Sequence, residues 1–396
     1  MPRITPGLTL VALMVAILVA TPRGVGAHPT LVVAQDGMGS PTDCDAPTPT
    51  PYTTIGSAVA AAAAGAQIKV CPGVYDEQVT ITTPVTLRGE NGAIVKPSPM
   101  VGNTTSLTTG SPLAVVVVVD GTKGVTIEGL TIDGSSNGLG CAPSLFGIFY
   151  RNASGTVRDM VIKNMRPGLA TCSDSGTGVF VQSQGGKTSR VTLESNSIHD
   201  YQKNGVTANE SRTDIRVRKR NVVTGIGPTT EAVQNGIQVA FGASGVIEDN
   251  IVTDNISAAC ASPAVCPANG NDVIVFQSNG VRVSDNVLGR SQTGVFVQGD
   301  HNTVSRNLIY DTRVFDGVAV FGDRNDIRHN DITRSEESAI FIDGDRNEVV
   351  DNRINEAPVG ILKSGAGNVI AGNQFFNTPV ADPPAPPTDS RARPQR

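Results

Sequence analysis

The chain repeats a pattern of aliphatic and polar positions about every 22 residues. Each copy centres on one residue, with an aliphatic side chain three positions before it and, in most copies, another two positions after it. A third short aliphatic segment then begins after a Gly or a similar residue. The last four copies centre on Asn residues spaced 23, 22 and 21 positions apart: Asn307, Asn330, Asn352 and Asn373. Earlier copies place Asn196, Asn250 and Asn286 at the same position.

Alternation of inward and outward residues on three short segments, repeated in every copy, is typical of a parallel β-helix. The predicted fold class is therefore all-β, a single-stranded right-handed parallel β-helix with coils of about 22 residues. Equivalent side chains of neighbouring coils stack in ladders in such a solenoid. We expect the central Asn amides to bond the backbone at a sharp corner and to pair with the next Asn, which is a structural role.

One coil departs from this register. In DIRVRKRNVV, Arg218 falls where an aliphatic residue should point inward, which predicts an extra residue, and hence a bulge, before Asn221. A solvated basic loop is the alternative interpretation. Longer insertions interrupt the first two thirds of the stack at about 97–113, 134–146, 165–177, 226–234 and 256–270.

A helix is predicted just before the coils. In TTIGSAVAAAAAGAQIKV, Ile55, Val59 and Ala62 fall on one helical face, and Gly65 ends the helix. An uncovered end of a β-helix exposes a strand edge, so this segment is predicted to be an N-terminal capping helix.

The rest of the chain divides by composition. Arg3 precedes a short apolar run, and Ala27 stands at a plausible cleavage position, which is typical of a secretory signal. The tail is rich in Pro, and we expect it to be disordered. The predicted parts are a signal peptide at 1–27, an N-terminal linker at 28–50, the β-helix at 51–377 and the tail at 378–396.

Charge and composition narrow the partners. The formal net charge is −5 and the isoelectric point is near 5.5, which argues against nucleic acid or an anionic membrane as a partner. Aromatic residues make up 4% of the chain and Trp is absent, so stacked Val and Ile are expected to fill the core. We expect a monomer that does not bind a membrane once the signal is removed.

Six Cys follow the signal, and an even number in an exported chain favours disulfides. Pairing neighbours along the chain gives Cys44–Cys71, Cys141–Cys172 and Cys260–Cys266, although other connectivities remain open. Zinc binding is the alternative. It is disfavoured because the sequence has no C-x-x-C motif and no His beside these Cys residues.

Two segments carry a resemblance to a known superfamily. The stretch IGSAVAAAAAGAQIKVCPGVYDEQVTITTPVTLRGENG resembles the start of many pectinesterase-like β-helix proteins. The Asn-centred coils from about 125 to 377 resemble the repeats of the NosD-type group, also called carbohydrate-binding and sugar-hydrolase repeats. The resemblance implies the right-handed parallel β-helix of pectin lyase-like proteins. Members of this superfamily are polysaccharide lyases, hydrolases, epimerases, adhesins and accessory proteins of copper enzymes. The chain matches the catalytic motif of none of these enzyme groups.

Polar residues cluster at the turn that follows the Asn ladder. In HDYQKNG this turn holds His199, Asp200, Tyr201, Lys203 and Asn204. Lys203 or His199 could serve as the base of a uronate-cleaving enzyme. We interpret Tyr201 and Asn204 as substrate-binding residues. Solvated turn residues with capping bonds are the alternative, because turns favour Asp and Asn whatever the function.

Equivalent turns of later coils add further candidates. Arg313, or acidic residues holding Ca²⁺, could stabilise the enolate that such a base creates. A hydrolase would instead need two carboxylates across the scissile bond, for which Asp200 and Asp254 are candidates. Asp311 and Asp316 are predicted to contact substrate. The sequence predicts no metal-binding residues beyond such acidic side chains, and Ca²⁺ is the candidate cofactor.

A second candidate surface follows the Gly that opens each third segment. If inward and outward residues alternate there, four rings point outward on one sheet: Phe149, Phe180, Phe296 and Phe341. Gln298 lies two residues beyond one of them and is a candidate substrate contact. Such a stripe could be a glycan groove. Alternatively, insertions or neighbouring rings cover it.

Together these observations predict a secreted or cell-envelope β-helix that binds or processes an extracellular polysaccharide as a lyase, hydrolase or epimerase. The alternative is a structural, adhesive or accessory β-helix without enzymatic activity. A groove lined by charged residues from several coils would favour the enzyme. Short turns with evenly mixed charge would favour the rod.

Overall fold

A computed structural model describes residues 29–167, 172–260, 262, 266 and 268–380. The chain winds through three long sheets, visiting each once per coil, and forms a right-handed parallel β-helix as predicted. Every strand pairing in these ranges is parallel except that of β7 with β8. The predicted signal peptide lies outside the described residues, as does the tail from residue 381 onward.

The strands of each sheet follow one another up the stack. The first sheet contains β1 Thr30–Val33, β2 Ala66–Val70, β5 Val85–Gly89, β9 Lys123–Glu128, β12 Ser154–Arg158, β15 Ser189–Glu194, β18 Thr213–Arg218, β21 Ser244–Glu248, β24 Arg282–Ser284, β27 Thr303–Ser305, β30 Asp326–Arg328, β33 Glu348–Val350 and β36 Val369–Ala371. The second contains β3 Gly73–Tyr75, β6 Ala93–Val95, β10 Thr131–Asp133, β13 Val161–Lys163, β16 Ser197–His199, β19 Val222–Thr229, β22 Ile251–Ser257, β25 Val287–Gly289, β28 Leu308–Thr312, β31 Asp331–Ser335, β34 Arg353–Asn355 and β37 Gln374–Phe376. The third contains β4 Val79–Ile81, β7 Thr104–Thr105, β8 Pro112–Asp120, β11 Ser144–Arg151, β14 Thr177–Gln182, β17 Asn204–Asn209, β20 Asn235–Ala240, β23 Asn271–Phe276, β26 Thr293–Gln298, β29 Val318–Phe321, β32 Ser338–Asp343 and β35 Val359–Ser364.

Aliphatic ladders fill the interior of the solenoid. The residues that precede the central Asn stack in the first sheet, and those that follow it stack in the second, where the register pairs Ile162 with Ile198 and Ile309 with Ile332. All of these side chains are fully buried. The core is thus a continuous column of β-branched and Leu side chains, which suits the small number of aromatic residues.

The predicted Asn ladder is confirmed. The amide nitrogen of Asn307 donates to the side-chain oxygen of Asn330 at 3.0 Å and to the backbone carbonyl of Val283 at 3.0 Å. Its side-chain oxygen accepts a bond from the backbone amide of Asn286 at 3.0 Å. The same bonds recur from Asn196 to Asn373. Because each Asn satisfies the backbone at a buried corner, its role here is structural.

The predicted extra residue is present, but it lies in the turn after β18, and the pairing of β18 with β15 continues without a bulge. Other coils place one residue with a positive φ before the ladder Asn, whereas this coil places two, Lys219 at φ 60° and Arg220 at φ 62°. The extra residue lets Arg218 pair beside Glu194 on the outward face, where their side chains form an ion pair at 3.0 Å. The aliphatic ladder therefore continues without a buried arginine.

The N-terminal segment differs from its prediction as a linker. Strand β1 lies within 28–50 and pairs in register with β2, so the first sheet begins before residue 51. Helix α1 spans Ile55–Ala61 and ends earlier than Gly65. The Thr54 side chain accepts from the Ser57 amide, and the Glu77 carboxylate accepts from the first two helical amides. Its function as a cap of the stack stays a prediction.

All three predicted disulfides are present: Cys44–Cys71, Cys141–Cys172 and Cys260–Cys266. The first ties the segment after β1 to the end of β2. The other two lie in the insertions between the second and third sheets. Thiolate zinc binding is therefore excluded for these six residues.

Candidate functional site

The five insertions all leave the solenoid at one corner. Each lies between a strand of the second sheet and the next strand of the third sheet: 97–113, 134–146, 165–177, 226–234 and 256–270. Neighbouring coils are only ~4.8 Å apart, so loops that leave one corner on successive coils stand side by side. The described residues of these insertions, which leave out 168–171, 261, 263–265 and 267, form a wall along one edge of the third sheet.

Covalent and polar contacts hold this wall together. The Cys141–Cys172 disulfide joins two of the insertions. The guanidinium of Arg166 forms a two-point ion pair with the carboxylate of Glu231, which joins the second of these, 165–177, to the insertion 226–234. The buried side chain of Gln202 donates to the backbone carbonyl of Cys172 at 2.8 Å. The loops are thus fixed relative to the coils beneath them.

The insertion 97–113 covers one end of the outward face of the third sheet. The Leu107 amide donates to Gln182 at 2.8 Å, and Thr108 bonds both Gln182 at 2.7 Å and Glu210 at 2.9 Å. An apolar cluster lies outside the main core at this end, formed by Leu113, Val115, Val118, Phe146, Phe149 and Phe180. The Phe149 and Phe180 rings stack with centroids 4.8 Å apart. Neighbouring rings therefore cover the predicted outward Phe side chains here.

Beyond this cluster the same face turns polar and carries a set of amides, which we call the amide floor: Asn204, Asn209, Asn235, Gln238 and Asn271. Asn271 donates to Asn235 at 2.8 Å, and Asn235 donates to Asn204 at 3.1 Å. Gln238 joins Asn204 and Asn209 through bonds of 3.2 and 3.1 Å. Amides both donate and accept hydrogen bonds, as sugar hydroxyls do.

A depression of about 150 Å³ opens where the amide floor meets the apolar cluster, lined by Phe146, Asp174, Thr177, Phe180, Lys203, Asn204, Thr207, Asn209 and Gln238. We call this depression and the amide floor together the trough. Its two sides differ in chemistry, because aromatic rings form one and amides and hydroxyls the other. Such a combination is typical of a small-molecule or glycan site.

Lys203 is the ionisable residue of the trough whose pKa is shifted. Burial lowers the pKa of its ammonium below the ordinary lysine range, and the nearby Asp174 carboxylate partly offsets this effect. Its backbone amide donates to the Gly176 carbonyl at 2.9 Å, which fixes the start of β17 beside the insertion 165–177. A lysine with a lowered pKa can lose its proton and accept one from a substrate.

Of the other candidates of HDYQKNG, Asn204 lies in the trough, whereas His199, Asp200 and Tyr201 do not line it. His199 and Asp200 lie on the outside of the corner, where His199 Nδ1 and Asp200 Oδ2 are 2.7 Å apart. Asp200 and Asp254 do not meet across a cleft, because β19 lies between β16 and β22.

Asp254 is part of a ladder of alternating charge on that corner. Arg290 binds its carboxylate through two nitrogens and also donates to the Tyr310 hydroxyl at 2.7 Å. On the next two coils Asp311 pairs with Arg334. Burial acts to raise the pKa of Asp254, but hydrogen bonds from Arg290 and Thr253 outweigh it and the pKa is lowered. We call this set the ion-pair ladder.

Two substrate-binding predictions are wrong. The Tyr201 side chain is fully buried, and its hydroxyl donates to Asn255 at 2.6 Å. Asp316 is also buried, and its carboxylate accepts bonds from the backbone amide and hydroxyl of Ser338. Both side chains turn inward at the corner and support the core, so neither reaches a surface ligand.

Arg313 and Gln298 lie away from the trough. Arg313 is exposed and lines a second, wider depression of about 570 Å³ with Asp311, Thr312, Arg334, Ser335, Glu336, Glu356 and Pro358. Gln298 lies on the outward face of the third sheet between Phe276 and Phe321. Each is placed on the surface, but two or more coils separate them from Lys203.

The described residues contain no group of three or more His, Cys, Asp and Glu side chains arranged to hold a metal ion. Most acidic residues at the corner bind arginine instead, as Asp254 and Asp311 do. The geometry therefore offers the Ca²⁺ interpretation no ligand set in this part of the chain.

Sequence reasoning missed most of the trough. Asn209, Asn235, Gln238 and Asn271 are outward residues of the third sheet, and Asp174 lies in an insertion. An available signal was the Asn that opens three successive third-sheet strands, in KNGVTAN, QNGIQVA and NDVIVF.

Comparison with known proteins agrees with the fold. The GH136 lacto-N-biosidase from Eubacterium ramulus matches with a TM-score of 0.58 and 11% identity, over 89% of this chain and 67% of its own. The mannuronan C-5 epimerase AlgE4 A-module from Azotobacter vinelandii gives 0.46 and 14%, over 80% and 90%. DFA-IIIase from Arthrobacter chlorophenolicus A6 gives 0.45 and 17%, over 78% and 77%. No curated protein sequence matches the chain.

Two family models match the sequence. Residues 264–381 match the periplasmic copper-binding protein family NosD, in line with the resemblance of the coils. The two histidines of that range, His301 and His329, are exposed on different corners of the solenoid, so the described residues do not fit a copper site. Residues 38–266 match the family described as protein of unknown function DUF1565. Because that match spans more than half of the chain, the protein belongs to the DUF1565 family of right-handed parallel β-helices.

Proposed function

We propose that the protein is an exported β-helix that binds an extracellular polysaccharide in the trough and processes it by proton transfer through Lys203. The observation that carries this proposal is the position of Lys203, a lysine with a lowered pKa, beside the amide floor and the Phe146 and Phe180 rings.

The amide floor supports the binding step. Its side chains come from three successive coils, β17, β20 and β23. Asn204, Asn235 and Asn271 are buried and bond one another, so Asn209 and Gln238, which are partly exposed on neighbouring coils, form the surface that a ligand can reach. The floor carries no charge of its own, which suits recognition of sugar hydroxyls by hydrogen bonds. A linear glycan can follow such a surface across several coils.

Lys203 supports the chemical step. Hydrolysis of a glycosidic bond ordinarily needs two carboxylates facing each other, and among the described residues that line the depression Asp174 is the one carboxylate. Elimination or epimerisation instead needs a base at the carbon that loses a proton, which the neutral amine of Lys203 supplies. We therefore favour a lyase or epimerase over a hydrolase.

Export is part of the same proposal. Three disulfides and the match to a periplasmic family fit an extracellular or periplasmic location. Across the described residues, no helix is both long and apolar enough to cross a bilayer. The predicted signal at 1–27 supplies the route.

A panel of neutral and acidic polysaccharides tests the proposal, with binding read by affinity electrophoresis and products by reducing ends and by the ultraviolet absorbance of unsaturated uronates. We expect Lys203→Met to lower turnover by about 100-fold or more, because proton transfer by a positioned side chain contributes that much. Lys187→Met, on an exposed turn, is the matched control.

The pH dependence adds a second readout. Since the amine must be neutral to act as a base, the rate should rise with pH through the lowered lysine pKa and then level off. Lys203→Arg should be inactive throughout, because a guanidinium stays protonated. A wild-type protein that neither binds nor changes any glycan of the panel would refute the proposal, and full activity of Lys203→Met would refute the assigned role.

A structural rod is the second candidate function, and the ion-pair ladder favours it. Asp254, Arg290, Asp311 and Arg334 alternate in charge along the later coils, where the turns are short. These oppositely charged side chains form ion pairs with one another, so they offer few charged groups to a ligand. A rod without enzymatic activity would bind no glycan in the panel and would be equally stable with Lys203→Met.

A further inference from the structure

Phe241 occupies an unusual place in the fold. It follows β20 at the corner from the third to the first sheet, and its backbone has a φ of 57°, in the left-handed region. Its amide donates to the carbonyl of the last residue of β23. The residues that make the same corner bond on other coils are Gly121, Asn152, Glu210, Gly299 and Gly322.

A phenylalanine at this corner does not favour folding. The left-handed backbone is common in this solenoid, since Glu210 holds the same corner at a φ of 79° and Arg290 and Arg306 hold other corners, so the angle requires no particular side chain at Phe241. The ring is also 43% exposed, so it gains little from burial. A large exposed ring that the corner does not require points to another role, and ligand contact is such a role.

The Phe241 ring is paired with a second aromatic residue. Phe276 ends β23 on the outward face of the third sheet, and the two centroids lie 5.7 Å apart at an interplanar angle of 82°. Phe276 is partly exposed, as is Ile274 two residues before it on the same face. The two rings thus present an apolar patch to solvent, which we call the aromatic step.

The aromatic step continues the amide floor. In the strand register Gln238 of the floor lies beside Ile274, and Asn209 lies beside Ala240, which in turn pairs with Phe276. From Lys203, just before β17, Phe241 lies one coil away and Phe276 two coils away, roughly 5 and 10 Å along the axis, and both lie about 20 Å away along the strand direction. Polar and apolar surfaces therefore follow one another on a diagonal across the sheet.

We propose that Phe241 and Phe276 form a distal sugar subsite, in which the apolar face of a ring at some distance from the reacting residue packs on the aromatic step. The inference rests on the proposed function and deepens it, because it assigns a long, linear glycan rather than a short one. A chain that spans from Lys203 to Phe241 contacts amides through its hydroxyls and the rings through its C–H faces.

The substitution Phe241→Asn separates binding from folding. Asparagine accepts the positive φ, so the variant should be as stable as the wild type or more stable in urea. Its dissociation constant for the long glycan that the wild type retards should rise about tenfold, as expected for loss of an aromatic anchor. Phe241→Tyr keeps the ring and should restore affinity.

Phe376→Asn is the matched control. Phe376 is 42% exposed, in the last strand of the second sheet and far from the trough, so its loss should leave affinity unchanged. A series of oligosaccharides of increasing length on wild type and Phe241→Asn gives the second readout. The two proteins should bind short members equally and diverge once the chain reaches the aromatic step.

The outcomes distinguish the two proposals. Equal affinity of wild type and Phe241→Asn at every length, together with lost turnover in Lys203→Met, would overturn the subsite and leave the proposed function standing. A loss of stability in Phe241→Asn without a change in affinity would show a packing role and overturn the subsite as well. If the wild type binds no glycan, both proposals are wrong.

Discussion

Asp272 places an ionisable carboxyl group inside the solenoid. Other coils have a glycine at its position, such as Gly236 and Gly294, because little room exists there for a side chain. Asp272 is fully buried, and its Oδ1 accepts bonds from Ser291 and Asn255. Burial raises the pKa of this carboxyl well above its ordinary value, against the opposing effect of these hydrogen bonds.

The sign of the resulting pH dependence follows from that shift. In the unfolded chain the carboxyl ionises near pH 4, whereas in the native protein it keeps its proton to a higher pH. Between these two values unfolding releases a proton, so the free energy of unfolding falls as pH rises. The fall is about 1.4 kcal/mol per pH unit for one proton.

Asp272→Asn removes this dependence and keeps the shape of the side chain. Its stability relative to wild type should therefore improve by about 1.4 kcal/mol for each pH unit between the unfolded and the native pKa of Asp272, and the gain should level off above the native pKa. Urea midpoints at several pH values and constant ionic strength measure the difference. Asp254→Asn is the matched control of opposite sign. The pKa of Asp254 is lowered, so its contribution is lost as pH falls.

Two results would refute this reasoning. The first is a pair of parallel stability curves for wild type and Asp272→Asn across the acidic range. The second is spectroscopic: an infrared difference spectrum of the two native proteins that lacks the carbonyl band of a protonated carboxyl just above pH 5 would show that Asp272 is ionised there.

Two further predictions concern the scaffold. Asn307→Ala should lower the free energy of unfolding by about 3 kcal/mol, because it leaves a buried carbonyl and a buried amide unpaired. A loss under about 1 kcal/mol by urea unfolding would contradict the structural role of the Asn ladder. Replacing both residues of Cys44–Cys71 by Ser should cost about 3.6 kcal/mol, against about 2.3 kcal/mol for Cys260–Cys266, because the first closes the longer loop. Calorimetry of the two double variants checks the order, and a larger loss at Cys260–Cys266 would contradict it.

The sequence was most informative where one coil repeats the next. Asn307 and Asn330 sit at the same place in adjacent copies, so their pairing and the strand register could be predicted together. The extra residue at Lys219 and Arg220 was also detectable, because a strict repeat makes one added position visible. Neighbour pairing of the Cys residues succeeded because each pair lies close along the chain or on adjacent turns of the solenoid, as Cys141 and Cys172 do on insertions of adjacent coils.

The trough was harder to predict, because it depends on the direction in which side chains point and on contacts between segments that are far apart in the sequence. Tyr201 stands among polar residues in the sequence, yet the corner turns its side chain inward. Asp174 reaches Lys203 from an insertion whose path the repeat does not specify. The exposure of the Phe241 ring depends on which way the corner turns it, and a pattern of residue types does not report that direction.

The insertions lie on the earlier coils, whereas the later coils are joined by short turns. This separation determines how the molecule can change length. Among the later coils each strand pairs only with the strands above and below it, and the amide floor ends at β23. Duplicating or deleting one whole coil between β28 and β34 would keep the Asn ladder, the aliphatic column and the sheet register continuous. The reach of the molecule can therefore evolve independently of its chemistry, as a spacer whose unit of change is a single turn of about 22 residues.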